Sequence, residues 1–457
     1  MLDALERIGQ SIRERRAKRL EGFARFLSLE VAGAIVLLIA TVVALVIANS
    51  GLAHWWEELW HTEIGIWIDS FEFSQSALHW LDDGLMALFF FVIGLEIKRE
   101  VIVGELSTLR KAALPILAAI GGMLAPALIY AAINHGGAGA QGWGVPMATD
   151  IAFALGVLAL LGSRVPSSLK IFMAALAIAD DIGAVLVIAI FYTAEIYRSW
   201  LLVAAALLIV LALLSYLRVE SPLPYALLGT AVWFCFLNSG VHATIAGVLV
   251  AFTIPSRARM EPMQFVAWAR GKINEIEALD VPGAHVLQTA DQQHCAQELQ
   301  AEARWIQAPL QRMEHAMLPL TTFVILPLFA LGNAGVAFVG QEVVQLLLQP
   351  VSLGVFFGLA VGKPLGIMAF SWLAVKLNIA GLPEGVGWQH MLGAGFLGGI
   401  GFTMAIFIAG LAFPEGALQT EAKLSILVTS VVAGAIGHYV LKRAEALPGN
   451  KQVADVA

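Results

Sequence analysis

Apolar stretches long enough to cross a lipid bilayer recur along this chain and constrain its fold more than any other feature. A membrane-spanning helix needs about 20 mostly apolar residues. Twelve such stretches can be counted, and we number them as spans 1 to 12. They lie at residues 30–50, 81–101, 112–134, 143–162, 169–193, 199–217, 222–238, 240–255, 316–337, 351–376, 388–412 and 422–442.

The composition supports this interpretation. Of 457 residues, 59% are hydrophobic and 13% are charged, whereas soluble domains carry about 25% charged residues. The 43 glycines suit closely packed and interrupted membrane helices. Cys235 lies in an apolar segment and Cys295 in a polar one, so no disulfide framework is indicated. The sequence therefore predicts an all-α membrane protein with twelve transmembrane helices.

The distribution of basic residues predicts the orientation of these helices. The connections that follow even-numbered spans contain most of the lysines and arginines near the membrane, namely Lys98, Arg99, Arg110, Lys111, Arg164, Lys170, Arg218 and Lys376. The other connections contain little besides Arg198. By the positive-inside rule both termini are expected in the cytoplasm. We expect a basic cytoplasmic segment at 1–29, a transporter domain at 30–442 and a cytoplasmic tail at 443–457.

Two segments outside the spans are distinctive. Residues 51–80 are expected in the periplasm and are rich in tryptophan, isoleucine and phenylalanine. Within them, residues 64–73 fit either a β-hairpin, whose open edge can pair with another copy, or an aromatic belt at the membrane interface. Residues 256–315 form a polar stretch of mixed charge, and we expect a flexible cytoplasmic loop.

Two adjacent aspartates, Asp180 and Asp181, lie in the middle of span 5. No other charged residue occurs between Lys170 and Glu195. A carboxylate at the centre of a spanning helix costs about 2.5–3.5 kcal/mol, and such residues usually serve ion or proton transport. Two neighbouring carboxylates also repel each other, and a bound proton or cation relieves that repulsion. The alternative is a purely structural pair, satisfied by hydrogen bonds inside the bundle.

Spans 4 and 11 each contain a signal for an interrupted helix. In span 4, Pro146 removes a helix donor, and Thr149 and Asp150 follow it directly. In span 11, five glycines fall within residues 393–401, which favours an unwound segment. Spans 3–5 and 10–12 are offset by seven helices, an odd number, so a repeat relating them is inverted. Paired interruptions of this kind mark a transport site in the middle of the membrane.

Lys363 and His242 each admit two interpretations. Lys363 in span 10 needs a counter-ion, and Asp180 or Asp181 can supply it; this ion pair either takes part in proton movement or only fixes helix packing. His242 at the start of span 8 is either a pH sensor or an ordinary hydrogen-bonding residue. Asp82 and Asp83 are expected to cap the N-terminus of span 2.

Six strings, in order and with matching spacing, resemble the NhaA family of bacterial sodium/proton antiporters from about residue 28 to residue 443. They are FFFVIGLEIKRE at 89–100, ATDIAFALGV at 148–157, AIADDIG at 177–183, SGVHATIAG at 239–247, GKPLGI at 362–367 and GIGFTM at 399–404.

This resemblance implies roles for individual residues. Asp181 corresponds to the main sodium-binding carboxylate, Asp180 to its partner that is ion-paired with Lys363, and Thr149 to a further binding residue. Asp150 and Lys363 correspond to residues that compensate the dipoles of the broken, crossing helices. Residues linked to pH response in the family correspond to Glu96, Arg99, His242 and Glu314.

The resemblance also implies a function. The expected activity is the export of Na⁺, and also Li⁺, in exchange for external protons, without a resident cofactor. The expected location is the bacterial inner membrane, with a homodimer formed through residues 51–80 and no nucleic-acid partner. The 256–315 insertion is longer than the family's loop, which makes an identical role of Glu314 in pH response doubtful.

Two other classes of protein place aspartates in membrane helices. An intramembrane aspartyl protease needs a Gly-x-Gly-Asp string, and this chain contains no Gly-Asp dipeptide. A sodium-coupled symporter of organic anions shares the broken helices, but a lysine beside the aspartates argues against an organic pocket.

Overall fold

The computed structural model describes residues 31–68, 71–193, 196–279, 290–303, 306–337 and 343–444. These residues form helices and one two-stranded sheet. The expected N-terminal segment 1–29 and residues 445–457 of the expected tail lie outside the described residues.

The described residues up to 253 form ten α-helices and the sheet, together with shorter helical segments of other kinds. The α-helices are α1 Val31–Ala48, α2 Ala53–His61, α3 Ala77–His79, α4 Met86–Val103, α5 Leu109–Ile133, α6 Ile151–Leu160, α7 Ser167–Phe191, α8 Arg198–Tyr216, α9 Pro222–Leu237 and α10 Thr244–Thr253. The strands are β1 Glu63–Ile68 and β2 Phe71–Ser76. A π-helix, Trp80–Leu85, continues into α4, and a 3₁₀ helix, Ala140–Met147, precedes α6.

From residue 262 on, the part of the chain that the structure describes contains ten further α-helices and two π-helical turns. The α-helices are α11 Pro262–Ala278, α12 Ala290–Ala303, α13 Pro309–Leu320, α14 Leu326–Asn333, α15 Val343–Leu347, α16 Pro350–Phe357, α17 Lys363–Lys376, α18 Trp388–Gly398, α19 Phe402–Ala412 and α20 Ala417–Arg443. The π-helical turns, Thr321–Ile325 and Gly358–Gly362, join α13 to α14 and α16 to α17.

The membrane class is confirmed, but the exact number of spans is not. Among the described residues, eight helices are long and apolar enough to cross a membrane, or nine if the bent pair α18 and α19 is one span. Of the other predicted spans, α9 and α10 are shorter apolar helices. Helix α4 has 18 residues but includes Glu96, Lys98, Arg99 and Glu100. The predicted total of twelve therefore stays a prediction.

The helices divide into two groups by their packing. In the first, which we call the core bundle, α5 packs on α17 and α7, the 3₁₀ helix packs on α19, and α20 packs on α16 and α18. In the second, the flanking bundle, α4 packs on α10 and α13, and α9 packs on α8 and α10. Helix α1 joins the flanking bundle, since Asn49 Nδ2 donates to the Val336 carbonyl, 2.8 Å away, just after α14.

Spans 3 and 10 approach each other closely through glycine. A Cβ added at Gly121 of α5 would overlap the carbonyl oxygen of Gly366 in α17, and one added at Gly366 would overlap the carbonyl oxygen of Gly121. Small residues allow membrane helices to pack backbone against backbone. This contact joins the first helices of the two predicted repeat units.

Both of the segments outside the spans contain regular secondary structure. Strands β1 and β2 pair antiparallel, with Glu63 opposite Ser76 and Ile68 opposite Phe71. Within 256–315, α11 and α12 pack on each other, and α13 already begins at Pro309. Most of the described residues of this stretch are therefore helical rather than irregular.

Charged side chains join α11 to α12. Lys272 Nζ lies 2.9 Å from Glu275 Oε2 and 2.8 Å from Glu298 Oε2. Hydrogen bonds to Glu275 and Glu298 raise the pKa of Lys272, and the hydrogen bond from Lys272 lowers the pKa of Glu298. Both shifts favour the charged forms, and the ion pair between Lys272 and Glu298 links α11 to α12.

The expected helix cap at Asp82 and Asp83 is wrong. The helix that leads into span 2 begins earlier, at Ala77, and the Ser76 side chain caps it by accepting a hydrogen bond from the His79 N–H. Asp82 and Asp83 instead lie inside the π-helical turn. The strand β2 runs directly into this helix, which the apolar pattern alone does not show.

Candidate ion-binding site

Spans 4 and 11 are both interrupted and meet at their interruptions, as the proline and glycine signals predict. In span 4 the backbone between the 3₁₀ helix and α6 is extended at Ala148 and Asp150. In span 11 the break covers residues 399–401, and the two halves are bent by 45°. The Asp150 N–H donates to the Ile400 carbonyl at 2.7 Å, and the Thr149 hydroxyl donates to the Gly398 carbonyl at 2.8 Å.

Asp150 accepts hydrogen bonds from the N-termini of both half-helices. Its Oδ1 accepts from the Phe153 N–H of α6 at 3.1 Å, and its Oδ2 accepts from the Thr403 N–H of α19 at 3.1 Å. The Thr403 hydroxyl also donates to Asp150 Oδ2. Helix N-termini carry partial positive charge, so a buried carboxylate is stabilised between them. This geometry agrees with the dipole-compensating role that the resemblance implies for Asp150.

Asp180 forms a buried ion pair with Lys363. The Lys363 ammonium lies 2.6 Å from Asp180 Oδ2, and the two side chains are 1% and 2% exposed. Lys363 is the first residue of α17, directly after the π-helical turn that ends at Gly362. The ion pair thus falls on Asp180, one of the two partners that the sequence leaves open. Whether Lys363 also compensates helix C-termini stays a prediction.

Asp181 is equally buried, but Lys363 does not pair with it. Its side chain is 2% exposed, and its Oδ1 has no hydrogen-bond partner among the described residues. The carboxylates of Asp180, Glu96 and Asp150 lie near enough for their charges to act on it. The Lys363 ammonium also acts on Asp181 but is paired with Asp180, so Asp181 has no counter-ion of its own among the described residues, and such a buried carboxylate attracts a cation or a proton.

Three of the four residues expected in pH response meet in one cluster. Arg99 Nη1 lies 2.7 Å from Glu314 Oε1, and Arg99 Nη2 lies 3.7 Å from Glu96 Oε1 and 3.3 Å from Glu100 Oε1. This arrangement joins α4 to α13 within the flanking bundle. Because Glu96 also acts on Asp181, the cluster is electrostatically linked to the aspartate pair.

His242 lies apart from this cluster. Its Nε2 is 2.6 Å from the Tyr192 carbonyl oxygen, just after the end of α7. This contact is an ordinary side-chain to backbone hydrogen bond. It joins the start of span 8 to the end of span 5, so the structure does not bring all four predicted residues together.

Two residues of the crossing were not singled out from the sequence. Thr403 contacts Asp150 as described, and the Ser430 hydroxyl of α20 accepts from the Phe402 N–H at 3.2 Å. Both side chains therefore make hydrogen bonds at the buried N-terminus of α19. A threonine directly after a glycine-rich break is a local signal for the first, whereas Ser430 comes from a distant part of the chain and offers no such signal.

A helical membrane protein whose two broken helices cross beside buried carboxylates belongs to the class of secondary active transporters. Comparison with known proteins is more specific. The family described as "Na+/H+ antiporter 1" matches residues 24–441.

Individual relatives agree. The chain is 51% identical to the Na(+)/H(+) antiporter NhaA of Oleidesulfovibrio alaskensis, over 93% of this chain and 94% of the relative. It is 47% identical to that of Koribacter versatilis, over 93% and 92% of the two chains, and 46% identical to one from Helicobacter pylori, over 91% and 94%. The chain belongs to the NhaA family of sodium/proton antiporters.

Proposed function

We propose that this chain is a secondary active antiporter that exports Na⁺ in exchange for protons, with Asp181 as the main cation-binding carboxylate. The observation that carries the proposal is the buried Asp180–Asp181 pair beside the crossing of spans 4 and 11. The names of the relatives agree with this activity.

Asp181, Asp180 and Thr149 are the proposed sodium-binding residues. Sodium is a hard cation that prefers oxygen ligands, and the carboxylates, the Thr149 hydroxyl and the carbonyls freed at the breaks are all oxygen donors. A proton on Asp181 removes the charge that attracts sodium, so the two cations compete for the same site. Binding of one therefore expels the other, and no resident metal or cofactor is needed.

Transport follows if the site opens to each side of the membrane in turn. The core bundle carries Asp181 and both broken helices, and it packs against the flanking bundle through α4 and α7. We propose that rocking of one bundle against the other alternates access to the site. The proposed orientation places both termini in the cytoplasm, in a bacterial inner membrane, with sodium and pH homeostasis as the physiological outcome.

The exchange is proposed to move net charge. Lys363 and Asp180 form a second buried group that can exchange a proton together with Asp181. Two protons moving inward for one sodium ion moving outward would transfer one positive charge inward. The membrane potential would then drive export, at about 2.3 kcal/mol per charge per 100 mV. Lithium, which is also a small hard cation, is the second proposed substrate.

Activation at alkaline pH is proposed to involve the Arg99 cluster and His242. Acid would protonate Glu96 and Glu314 and so remove two of the three carboxylates that pair with Arg99, including the one that joins α4 to α13. His242 lies on the other side of the membrane in the proposed orientation, where its Nε2 contacts the Tyr192 carbonyl oxygen at 2.6 Å.

A homodimer is proposed through the β-hairpin, because both of its strands have an open edge that can pair with a second copy. Replacing residues 63–76 by a short Gly-Ser linker should then give monomers in light scattering of the detergent-solubilised protein. A dimer that persists in this variant would contradict the assignment of the hairpin.

The central test uses proteoliposomes with an imposed pH gradient and no organic solute. Addition of Na⁺ should collapse the gradient for the wild-type chain, and Asp181→Asn should abolish the collapse because the amide keeps the shape but loses the charge. Asp291→Asn, at an exposed position of α12, is the matched control and should behave as wild type. Exchange at the wild-type rate by Asp181→Asn would refute the assignment, and a requirement for an organic anion would favour symport.

A further inference from the structure

A polar contact joins the two bundles at some distance from the ion-binding residues. Asn333, the last residue of α14, donates from Nδ2 to Asp82 Oδ1 at 2.6 Å. Lys423 of α20 donates from Nζ to Asn333 Oδ1 at 3.4 Å. Asp82 lies in the π-helix that continues into α4, and Asn333 ends α14, which continues α13, so both belong to the flanking bundle. Lys423 lies in α20 of the core bundle, so the contact crosses the boundary between the bundles.

The chemistry of the three groups fixes the arrangement. A carboxylate only accepts hydrogen bonds and an ammonium only donates them, whereas an amide does both. Asn333 must therefore turn its NH₂ group towards Asp82 and its oxygen towards Lys423. The opposite charges of Asp82 and Lys423 also attract each other through this bridge.

The contact lies on the periplasmic side in the proposed orientation. Asp82 comes before α4, Asn333 ends α14 and Lys423 lies in the second turn of α20, which are the periplasmic ends of spans 2, 9 and 12. A group of buried aromatic rings also crosses the boundary, with Phe407 of α19 packed on Phe90 of α4 and Phe329 of α14 at centroid distances of 5.6 and 6.2 Å.

We propose that Asp82, Asn333 and Lys423 form a latch that holds the periplasmic ends of the two bundles together and so favours the state closed to the periplasm. Alternating access requires these ends to separate, and separation breaks the bridge between Asn333 and Lys423. The aromatic contacts exclude water from the same boundary. This proposal rests on the proposed alternating access. It identifies residues that set the balance between the states closed and open to the periplasm.

The test measures the distance between the periplasmic ends of the bundles. Spin labels are placed at exposed positions by Gly51→Cys after α1 and Ala417→Cys at the start of α20, with Cys235 and Cys295 replaced by alanine. Loss of this long, 3.4 Å hydrogen bond should raise the ratio of long to short distances in Lys423→Met about three- to tenfold, equal to about 0.7–1.4 kcal/mol. Lys442→Met, at the exposed other end of α20, is the control and should leave the ratio unchanged.

A charge exchange distinguishes a latch from a general effect on folding. In the double variant Asp82→Lys with Lys423→Asp, the Asn333 amide can rotate and bridge the reversed charges, so the distance ratio should return towards that of the wild type. A Lys423→Met ratio equal to that of the Lys442→Met control, or a double variant no closer to wild type than Lys423→Met, would overturn the latch. A single distance in the wild type at every pH and sodium concentration would instead contradict the alternating access itself, and the latch with it.

Discussion

The ion pair between Lys363 and Asp180 gives the sharpest test of the site's energetics. In Lys363→Ala the Asp180 carboxylate loses its 2.6 Å partner while its side chain remains 2% exposed. Breaking a buried pair by removing one partner costs about 3–5 kcal/mol, because the remaining charge is uncompensated. The side chains of Lys363 and Asp180 are 1% and 2% exposed. We therefore expect a loss of this size rather than the much smaller loss that follows when a surface ion pair is broken.

The measurement is thermal unfolding of the purified protein in detergent, for the wild type, Lys363→Ala, the single variants Asp180→Asn and Lys363→Gln, and the double variant that combines the last two. Lys363→Ala should lower the midpoint by about 3–5 °C, because an unfolding entropy of about 2.1 cal/mol/K per residue applies to 457 residues. The double change Asp180→Asn with Lys363→Gln should recover much of this loss, because neither charge is then left alone. Lys376→Ala, at an exposed position of the same helix, is the control and should change the midpoint little.

Comparison of the single variants with the double variant separates the loss of the ion pair from a loss of packing. Residues in direct contact show a coupling energy of about 0.5–3 kcal/mol, whereas independent residues give additive losses. Strictly additive losses for Asp180 and Lys363 would refute the pairing. A Lys363→Ala midpoint equal to that of the Lys376→Ala control would refute the claim that the lysine compensates a buried charge.

Three further predictions follow from the same structure. Thr403→Val removes the hydroxyl donor to Asp150 and should lower stability by about 1.5–3 kcal/mol in thermal unfolding, whereas Thr420→Val, at an exposed hydroxyl, should not. Gly366→Ala places a methyl group against a backbone carbonyl and should lower the free energy of unfolding by about 1–3 kcal/mol. Gly271→Ala, in an open stretch of helix α11, is the control and should cause no such loss. Equal unfolding midpoints for the two variants would contradict the close contact. If sodium and protons compete for one site, raising the pH should strengthen the apparent sodium affinity until it levels off; a maximal rate that falls with acid at constant affinity would favour a separate sensor instead.

The parts of the site that the sequence predicts are those with a strong local signal. Charges inside apolar helices are costly, so Asp180, Asp181 and Lys363 stand out without any structure. Proline in span 4 and clustered glycines in span 11 likewise predict the breaks. The unwound backbone is shorter than the glycine cluster, however, because the glycines up to Gly398 remain helical.

The parts that the sequence does not predict depend on distant contacts. Asp82 looks like a helix cap from its position before an apolar run, yet Ser76 caps that helix and Asp82 binds Asn333, 251 residues away. Which aspartate pairs with Lys363 also depends on the rotation of α7 against α17, which hydropathy does not determine. The π-helical turn Gly358–Gly362, directly before α17, changes the rotation of α17 by a local insertion, and the apolar pattern does not reveal it.

If Asp181 is the sodium-binding carboxylate, as proposed above, the charges around the crossing favour one monovalent cation at Asp181. Asp150 faces two half-helix N-termini, each equivalent to about +0.5 of a charge, and is thereby compensated. Asp180 is compensated by Lys363, and the charge of Asp181 remains. One sodium ion or one proton at Asp181 neutralises the site, whereas a divalent cation would leave an excess positive charge in a medium of low dielectric constant. The same balance makes the two cations mutually exclusive, which is the condition for coupled exchange.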